Sequence, residues 1–181
     1  MTPAGYVVAT CVVTVGIAIA LAVPTSPKLV WNLSKSVPLG LYAIDRRGAL
    51  DLGDLVAVMP PEPLAQMMVE RSYIGRNVPI LKYVLALPGQ TVCRTGSTVT
   101  IDGGEFGDAL DRDRQGRDLP VWQGCRRIAD GDVFLMNTDA RDSFDGRYFG
   151  PLPASAVIGR ATPICTDEEG DGHFVWHLGA S

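Results

Sequence analysis

The sequence predicts a mainly β domain of about 150 residues that follows an N-terminal apolar helix. Short apolar segments separated by Gly, Pro and Asp continue from residue 28 almost to the C-terminus, without internal repeats. Segments of this kind are typical of short strands joined by turns. No charged side chain occurs before Lys28, which sets residues 1–27 apart from the rest.

Residues 5–23 predict a membrane-spanning helix. These 19 residues include nothing more polar than Thr, and a helix of that length matches a hydrocarbon core of about 30 Å. A cleaved signal peptide is the alternative, because residues 20–22 (Ala-Leu-Ala) resemble a cleavage site, although no basic residue precedes the run. We predict an uncleaved anchor and linker over residues 1–27 and a folded domain over residues 28–181.

Charge bears on topology and on partners. Lys28 and Lys35 follow the apolar run and no basic side chain precedes it, so the positive-inside rule alone weakly favours a cytoplasmic domain. The formal net charge is −4, and the stretch 167–172 holds four acidic residues. The remainder is balanced and has no basic stripe, so we expect no nucleic-acid partner.

The expected elements follow one another with turn residues between them. Six segments predict strands or strand pairs: residues 40–45, 54–60, 80–93, 97–104, 125–137 and 156–164. Residues 64–74 predict one short helix after Pro63. The charged stretch 107–118 predicts a solvated loop, a disordered insertion or a lid, and residues 167–181 predict an acidic tail. His173 and His177 lie within that tail, beside its acidic residues, and are expected to be ordinary surface or terminal residues.

No metal or cofactor is expected. The chain has no phosphate loop or dinucleotide fingerprint, and its four cysteines form no C-x-x-C pair. Cys11 lies in the apolar run, where it is expected to pack as a small hydrophobe. In an oxidising compartment Cys93 and Cys125 could form a disulfide, which leaves Cys165 unpaired.

Lys82 lies inside the apolar segment "ILKYVLALPG". Strand alternation places it on the same face as Val84 and Ala86. If both faces of the strand are covered, burial lowers the lysine pKa, and the neutral amine could act as a general base. The alternative is an edge-strand lysine that prevents aggregation, and composition alone favours it.

Ser36 lies just before a proline in "SKSVPLGLY". A serine hydroxyl needs a base before it attacks, and a Ser-Lys pair is one known arrangement. Pro38 restricts Val37 to extended conformations, which could expose the Ser36 hydroxyl. Ser and Pro are also ordinary turn residues, so this stretch alone does not indicate a nucleophile.

Three segments together resemble the signal peptidase (S26-type) family of serine proteases. They are "SKSVPLGLY", "LKYVLALPGQTV" and "GDVFLMNTDARDSFDGRYFGPLPASAVIGRATPI", in the order and rough spacing of that family's boxes. The form S-x-P-x-G-L-Y resembles the conjugative-transfer branch, the TraF-type peptidases. Housekeeping leader peptidases usually have one more residue between Ser and Pro, with Met after the Ser. The resemblance covers nearly the whole chain after residue 28 except its last part.

The resemblance implies catalytic roles for four residues. Ser36 would be the nucleophile, and Lys82 would be the general base and later the acid for the leaving amine. Ser34 would form an oxyanion hole with the Ser36 backbone N–H. Ser143 would hydrogen-bond the Lys82 amine and orient it.

The resemblance also implies a structural ion pair between Asp145 and Arg147. It gives no role to Lys35, which stands where relatives often carry a small residue. The implied fold is a β-rich peptidase domain, like that of signal peptidases and the self-cleaving LexA repressor, in which an extended peptide adds as a strand in a groove.

The implied function is a membrane-anchored Ser-Lys endopeptidase that processes a secreted precursor, with a conjugative propilin as the expected substrate. Its acyl-enzyme could be resolved by water or by an amine that joins the ends of the pilin. The expected location is the bacterial inner membrane, single-pass, with a periplasmic catalytic domain near type IV secretion components. The alternatives are a general leader peptidase and a non-catalytic membrane-tethered β module.

Overall fold

A helix, α1 (Pro3–Ala22), begins the chain. The computed structural model describes residues 2–22, 28–46 and 48–177; the predicted end of the apolar run at Val23 and the linker after it lie outside these residues. The apolar side chains in the first part of α1 are exposed, including Tyr6 and Val12. Within the described ranges, no helix combines the length and the apolar character that crossing a membrane requires.

Most of the remaining elements are strands, so the mainly β prediction is confirmed. In chain order they are β1 (Leu29–Asn32), β2 (Leu39–Asp45), β3 (Leu55–Val58), α2 (Leu64–Glu70), β4 (Ile80–Ala86), β5 (Thr91–Thr95), β6 (Thr98–Ile101), β7 (Gly104–Asp108), β8 (Gly124–Arg127), β9 (Asp132–Met136), α3 (Gly146–Phe149), β10 (Leu152–Pro153), β11 (Val157–Asp167) and β12 (Val175–Trp176).

The strands form two antiparallel sheets. The larger has the order β1-β2-β11-β3-β4-β9-β10, with β12 added to β11, and the smaller has the order β7-β6-β5-β8. Strand β4 is paired on both sides, with β3 and with β9. The edge-strand interpretation of Lys82 is therefore wrong, because Lys82 lies in the interior of the larger sheet.

Strand β9 connects two parts of the core. Its residues alternate between faces: Val133 and Leu135 pack in the cluster that includes Met68 of α2. Phe134 and Met136 pack in the cluster shared with the smaller sheet. The centre of the larger sheet is thus covered on both faces, which removes its side chains from water.

Helix α2 is shorter than the predicted helix over residues 64–74. It ends at Glu70 because Ser72 adopts a left-handed conformation, with φ of 59°. The backbone N–H of Tyr73 then donates to the carbonyl of Met68 at 2.8 Å. This turn directs the Tyr73 side chain toward the charged stretch, where its hydroxyl donates to Asp113 at 2.6 Å.

Both charged stretches contain regular structure. Gly107 and Asp108 belong to β7, and the loop that follows is organised around Asp113, whose carboxylate accepts backbone N–H groups from Gln115 and Arg117. The predicted last strand extends to Asp167 and pairs with β12 inside the predicted tail. Residues 178–181 of that tail lie outside the described residues.

Candidate active site

A cleft of about 880 Å³ brings together segments that are distant in sequence. Its walls come from the loop between β1 and β2, from the segment that leads into β4, from the loop after β7 and from the segment before α3. Four of the polar residues singled out in the sequence line this cleft: Ser34, Ser36, Lys82 and Ser143.

The loop that carries both serines is shaped by the buried side chain of Asn32. Its Nδ2 lies 2.7, 3.1 and 3.0 Å from the carbonyl oxygens of Ser34, Val37 and Pro38. Its Oδ1 accepts the Ser34 backbone N–H at 3.0 Å. One amide therefore satisfies the backbone groups of a loop that has no strand partner of its own.

The end of this loop is fixed by packing. Val37 is buried in the same apolar cluster as Leu81, the neighbour of Lys82. Gly40 follows at the start of β2, where a Cβ atom would lie 2.2 Å from the carbonyl oxygen of Cys165. Only glycine allows β2 and β11 to approach this closely, so the sequence "VPLG" sets the position of the loop against the sheet.

The serine and lysine side chains form two separate pairs. The hydroxyls of Ser34 and Ser36 lie 2.9 Å apart, and the Ser36 backbone N–H donates to the Ser34 hydroxyl at 3.4 Å. Lys82 Nζ donates to Ser143 Oγ at 2.7 Å. Ser36 and Lys82 share the cleft, but their hydroxyl and amine do not hydrogen-bond to each other.

Lys82 is 4% exposed. Burial lowers the pKa of Lys82 to about 8, the charge of Asp145 opposes this shift, and Arg147 adds to it. An amine with this pKa is neutral in a substantial fraction of molecules near pH 8, as a general base must be. The predicted burial of Lys82 is observed, but the predicted common face is wrong for Ala86. The pairing of β4 with β9 shifts register between Val84 and Ala86, and Ala86 packs in the cluster of the smaller sheet while Val84 packs in the cluster of Met68.

Asn137, immediately after β9, holds the backbone on both sides of Lys82. Its Nδ2 donates to the Leu81 carbonyl at 3.2 Å, and its Oδ1 accepts the Tyr83 backbone N–H at 3.2 Å. Its own backbone N–H donates to Asp145 Oδ2 at 3.1 Å. Asn137 therefore connects the lysine strand to the segment that carries Ser143.

Asp145 and Arg147 form the predicted ion pair, and both are buried. Arg147 Nε and Nη2 donate to the two carboxylate oxygens of Asp145 at 2.9 and 2.8 Å. The remaining guanidinium N–H groups donate to backbone carbonyls, including those of Ser143 and Ala140 at 3.3 and 2.8 Å. Gly146 lies between them because a Cβ there would be 2.6 Å from Phe134. The pair thus fixes the turn that presents Ser143 to Lys82.

A second buried cation links this turn to the smaller sheet. Arg94 Nη1 donates to the Arg147 carbonyl at 2.6 Å. Its neighbour Cys93 forms a disulfide with Cys125 that joins β5 to β8. Cys165 is a buried free thiol.

Sequence reasoning missed Asn32, Asn137 and Arg94. An Asn at the end of a strand signals only a turn, and nothing in the sequence distinguishes a buried Arg that bonds carbonyls from a surface Arg. The predictions for the histidines fit the structure: His177 lies against Thr166 and Glu168, and neither it nor His173 lines the cleft. In the part of the chain that is described, no His, Cys, Asp and Glu side chains group into a metal site.

The similarity to known proteins agrees with this geometry. A family model described as "Signal peptidase, peptidase S26" matches residues 3–165. The chain belongs to the signal peptidase S26 family. It is therefore a serine peptidase of the signal peptidase type, and the sequence resemblance is confirmed.

Relatives of this S26 peptidase include transfer proteins and signal peptidases. A "Probable conjugal transfer protein TraF" of Sinorhizobium fredii is 37% identical, covering 75% of this chain and 76% of its own. A "Conjugal transfer protein TraF" of Agrobacterium fabrum is 35% identical, covering 75% and 81%. A "Probable signal peptidase I-1" of Synechocystis is 33% identical, covering 61% and 52%.

Replacing Lys82 with Met should stabilise this S26 peptidase at pH 7. The lysine pKa falls from 10.5 to about 8 on folding, so at pH 7 the folded state holds a charge that burial disfavours. We expect Lys82→Met to raise the free energy of unfolding by about 2 kcal/mol in urea titrations. The difference should shrink as the pH rises from about 8 toward 10.5, because in this range the folded lysine is mostly neutral while the unfolded lysine still binds its proton. The exposed Lys28→Met is the control, and a Lys82→Met variant less stable than wild type at pH 7 contradicts the interpretation.

Replacing Asn32 with Asp should impair catalysis more than binding. The carboxylate keeps the shape of the amide but cannot donate to the three carbonyls it would face, so the loop that carries Ser36 must move. We expect kcat to fall about 100-fold with a smaller change in KM, and Ser36 to react more slowly with a fluorophosphonate. The exposed Asn77→Asp is the matched control, which should retain kcat. If kcat of Asn32→Asp falls only in proportion to the fraction of folded protein, the variant is merely unstable and the prediction is wrong.

Proposed function

We propose that this S26 peptidase is a membrane-anchored Ser-Lys endopeptidase that matures a secreted precursor, a pilin subunit, in conjugative transfer. The observation that carries the proposal is the buried Lys82 amine, with its pKa lowered to about 8, in the same cleft as Ser36. The hydrogen bond from Lys82 to Ser143 supports the assignment of Lys82 as the base.

The reaction begins with a rotation of the Ser36 hydroxyl away from Ser34 and toward Lys82. Lys82 takes the hydroxyl proton while Ser36 Oγ attacks the scissile carbonyl carbon. The Ser36 backbone N–H and the freed Ser34 hydroxyl donate to the oxyanion that forms. When the C–N bond breaks, Lys82 returns the proton to the leaving amine and an acyl-enzyme remains on Ser36.

The acyl-enzyme can be resolved in two ways. Water gives hydrolysis, and an amine from the same precursor gives a cyclic product. In both cases neutral Lys82 removes the proton from the incoming nucleophile. A substrate in extended conformation fits the cleft, whose apolar lining includes Ile80, Leu119 and Phe144.

A role in conjugation is supported by the relatives named as conjugal transfer proteins and by the S-x-P-x-G-L-Y form of the nucleophile segment. The proposed substrate is a propilin, and the peptidase is proposed to act together with type IV secretion components. A general leader peptidase would instead act on many exported proteins.

The proposed anchor is the apolar run of residues 5–23, and the proposed location is the bacterial inner membrane with the catalytic domain in the periplasm. The disulfide between Cys93 and Cys125 supports an oxidising compartment. This disulfide argues against the cytoplasmic location that the positive-inside rule weakly favours.

Ser36→Ala and Lys82→Ala should each abolish processing of a candidate propilin. Mass spectrometry of the pilin, with and without the enzyme, measures processing and distinguishes linear from cyclic products. Wild-type kcat/KM should rise with pH and level off above about 8, because the neutral fraction of Lys82 increases through its pKa. Processing at the wild-type rate by either variant refutes the dyad. Rescue of a conditional leader-peptidase strain would favour the general enzyme.

The location has a test of its own. Alkaline phosphatase fused after residue 177 should be active, because this reporter folds only in the periplasm, and a matching β-galactosidase fusion should be inactive. Deleting residues 2–22 should release the protein from the membrane fraction. The opposite pattern of fusion activity would place the domain in the cytoplasm.

A further inference from the structure

The cleft carries an excess of positive charge in a chain whose formal net charge is −4. Its lining includes five cationic side chains and two carboxylates: Lys35, Arg71, Lys82, Arg114 and Arg117 against Asp113 and Asp142. Concave surfaces of one sign concentrate ligands of the other sign. The cleft therefore differs electrostatically from the rest of the molecule.

Each of these two carboxylates forms an ion pair with an arginine of the cleft. Asp113 is paired with Arg117, whose Nε lies 2.7 Å from its carboxylate, and Asp142 is paired with Arg114. The Asp113 carboxylate also accepts a hydrogen bond from the Tyr73 hydroxyl. These two carboxylates are consequently not available to balance the remaining cations.

Apart from Lys82, the described lining leaves two cations without a carboxylate partner. Arg71 donates to the backbone carbonyl of Asp118 at 2.8 Å. This bond gives one N–H group an acceptor, but the carbonyl is uncharged and does not balance the positive charge of the guanidinium. Lys35 makes no hydrogen bond or ion pair with the described residues. It is exposed, lines the cleft and lies between Ser34 and Ser36 in the chain, so its ammonium group is free to meet a ligand bound in the cleft.

The position of Lys35 limits where its partner can lie. An ion pair needs a nitrogen–oxygen distance of about 4 Å or less, and an extended peptide advances about 3.3 Å per residue. We therefore expect a substrate carboxylate that contacts Lys35 to belong to a residue close to the scissile bond, within about two positions of it. Arg71, on the same cleft, supports the same sign of charge.

We propose that Lys35 is a specificity-determining residue that binds a carboxylate of the precursor within about two residues of the cleavage site. This proposal rests on the proposed endopeptidase function and adds the chemical class of its substrate. The carboxylate is an Asp or Glu side chain, or the terminal carboxylate of a short released fragment. A peptide is favoured over an anionic lipid because both cations line the same cleft as Ser36.

The test uses the full-length enzyme in neutral detergent and the propilin whose processing depends on Ser36. Mass spectrometry first gives the cleavage site. Each Asp or Glu within two residues of it is then changed to Asn or Gln, and synthetic substrates that end near the site are made as the C-terminal acid and amide. These arms distinguish a side-chain carboxylate from a terminal one.

Wild-type enzyme should cleave the carboxylate substrate about fivefold better than its amide counterpart, through a lower KM. This ratio should fall toward one at about 0.5 M salt, because ions screen an exposed pair. Lys35→Met should bring the ratio close to one, Lys35→Arg should retain it, and Lys35→Glu should invert it for a substrate with Lys at that position. Lys28→Met removes the same charge outside the cleft and should retain the wild-type ratio.

Several results would overturn the assignment. They are a precursor with no carboxylate within two residues of the cleavage site, equal cleavage of both substrates by wild type, and an acid preference that persists in Lys35→Met. An effect of Lys35 that requires anionic phosphatidylglycerol vesicles would identify a lipid contact instead. Each of these results is compatible with cleavage that depends on Ser36. The proposed endopeptidase function is refuted by a different result, namely processing of the precursor by Ser36→Ala.

Discussion

The arrangement of the cleft depends on the buried ion pair between Asp145 and Arg147. Removing two charges from water is expensive, and the pair is tolerated only because almost every polar atom has a partner. The carboxylate accepts from Arg147 and from the Asn137 backbone, and the guanidinium also bonds backbone carbonyls of the turn. That turn presents Ser143, which in turn holds Lys82. This ion pair therefore fixes the position of Lys82, although its two members do not line the cleft.

Two sets of hydrogen bonds hold Lys82 in place. Its amine donates to Ser143, and Asn137 bonds the backbone of the residues on either side of it. Burial opposes the charge of the Lys82 amine and so lowers its pKa, which suits the role of base proposed for it. Strand β4 can carry such a residue because pairing with β3 and β9 satisfies its backbone. The stability lost at this position is compensated by the apolar clusters on both faces of the sheet.

Much of this site could be predicted from the sequence, because strand alternation and short motifs depend on residues that are near one another in the chain. Alternation placed Lys82 on a covered face, and ordered motifs identified Ser36, Ser143 and the ion pair. Composition alone favoured the wrong interpretation of Lys82, since pairing on both sides of β4 depends on strands distant in sequence. The roles of Asn32 and Asn137 arise from several weak contacts each, which appear only when the loop and the sheet have both formed. The end of α2 depended on one backbone conformation, which a serine does not signal.

The separate pairing of the two serines and of lysine with Ser143 bears on how the enzyme can be inhibited. Each of the groups proposed to react already has a hydrogen-bond partner, so the Ser36 hydroxyl is not in contact with the amine proposed to activate it. Bringing the proposed dyad together requires exchange of one hydrogen bond for another, and in the proposed mechanism peptide binding along the cleft favours that exchange. Small electrophiles that occupy only the space around Ser36 lack this binding energy and should react slowly. Compounds with an extended backbone that fills the cleft are therefore the better starting point for inhibitors of this peptidase.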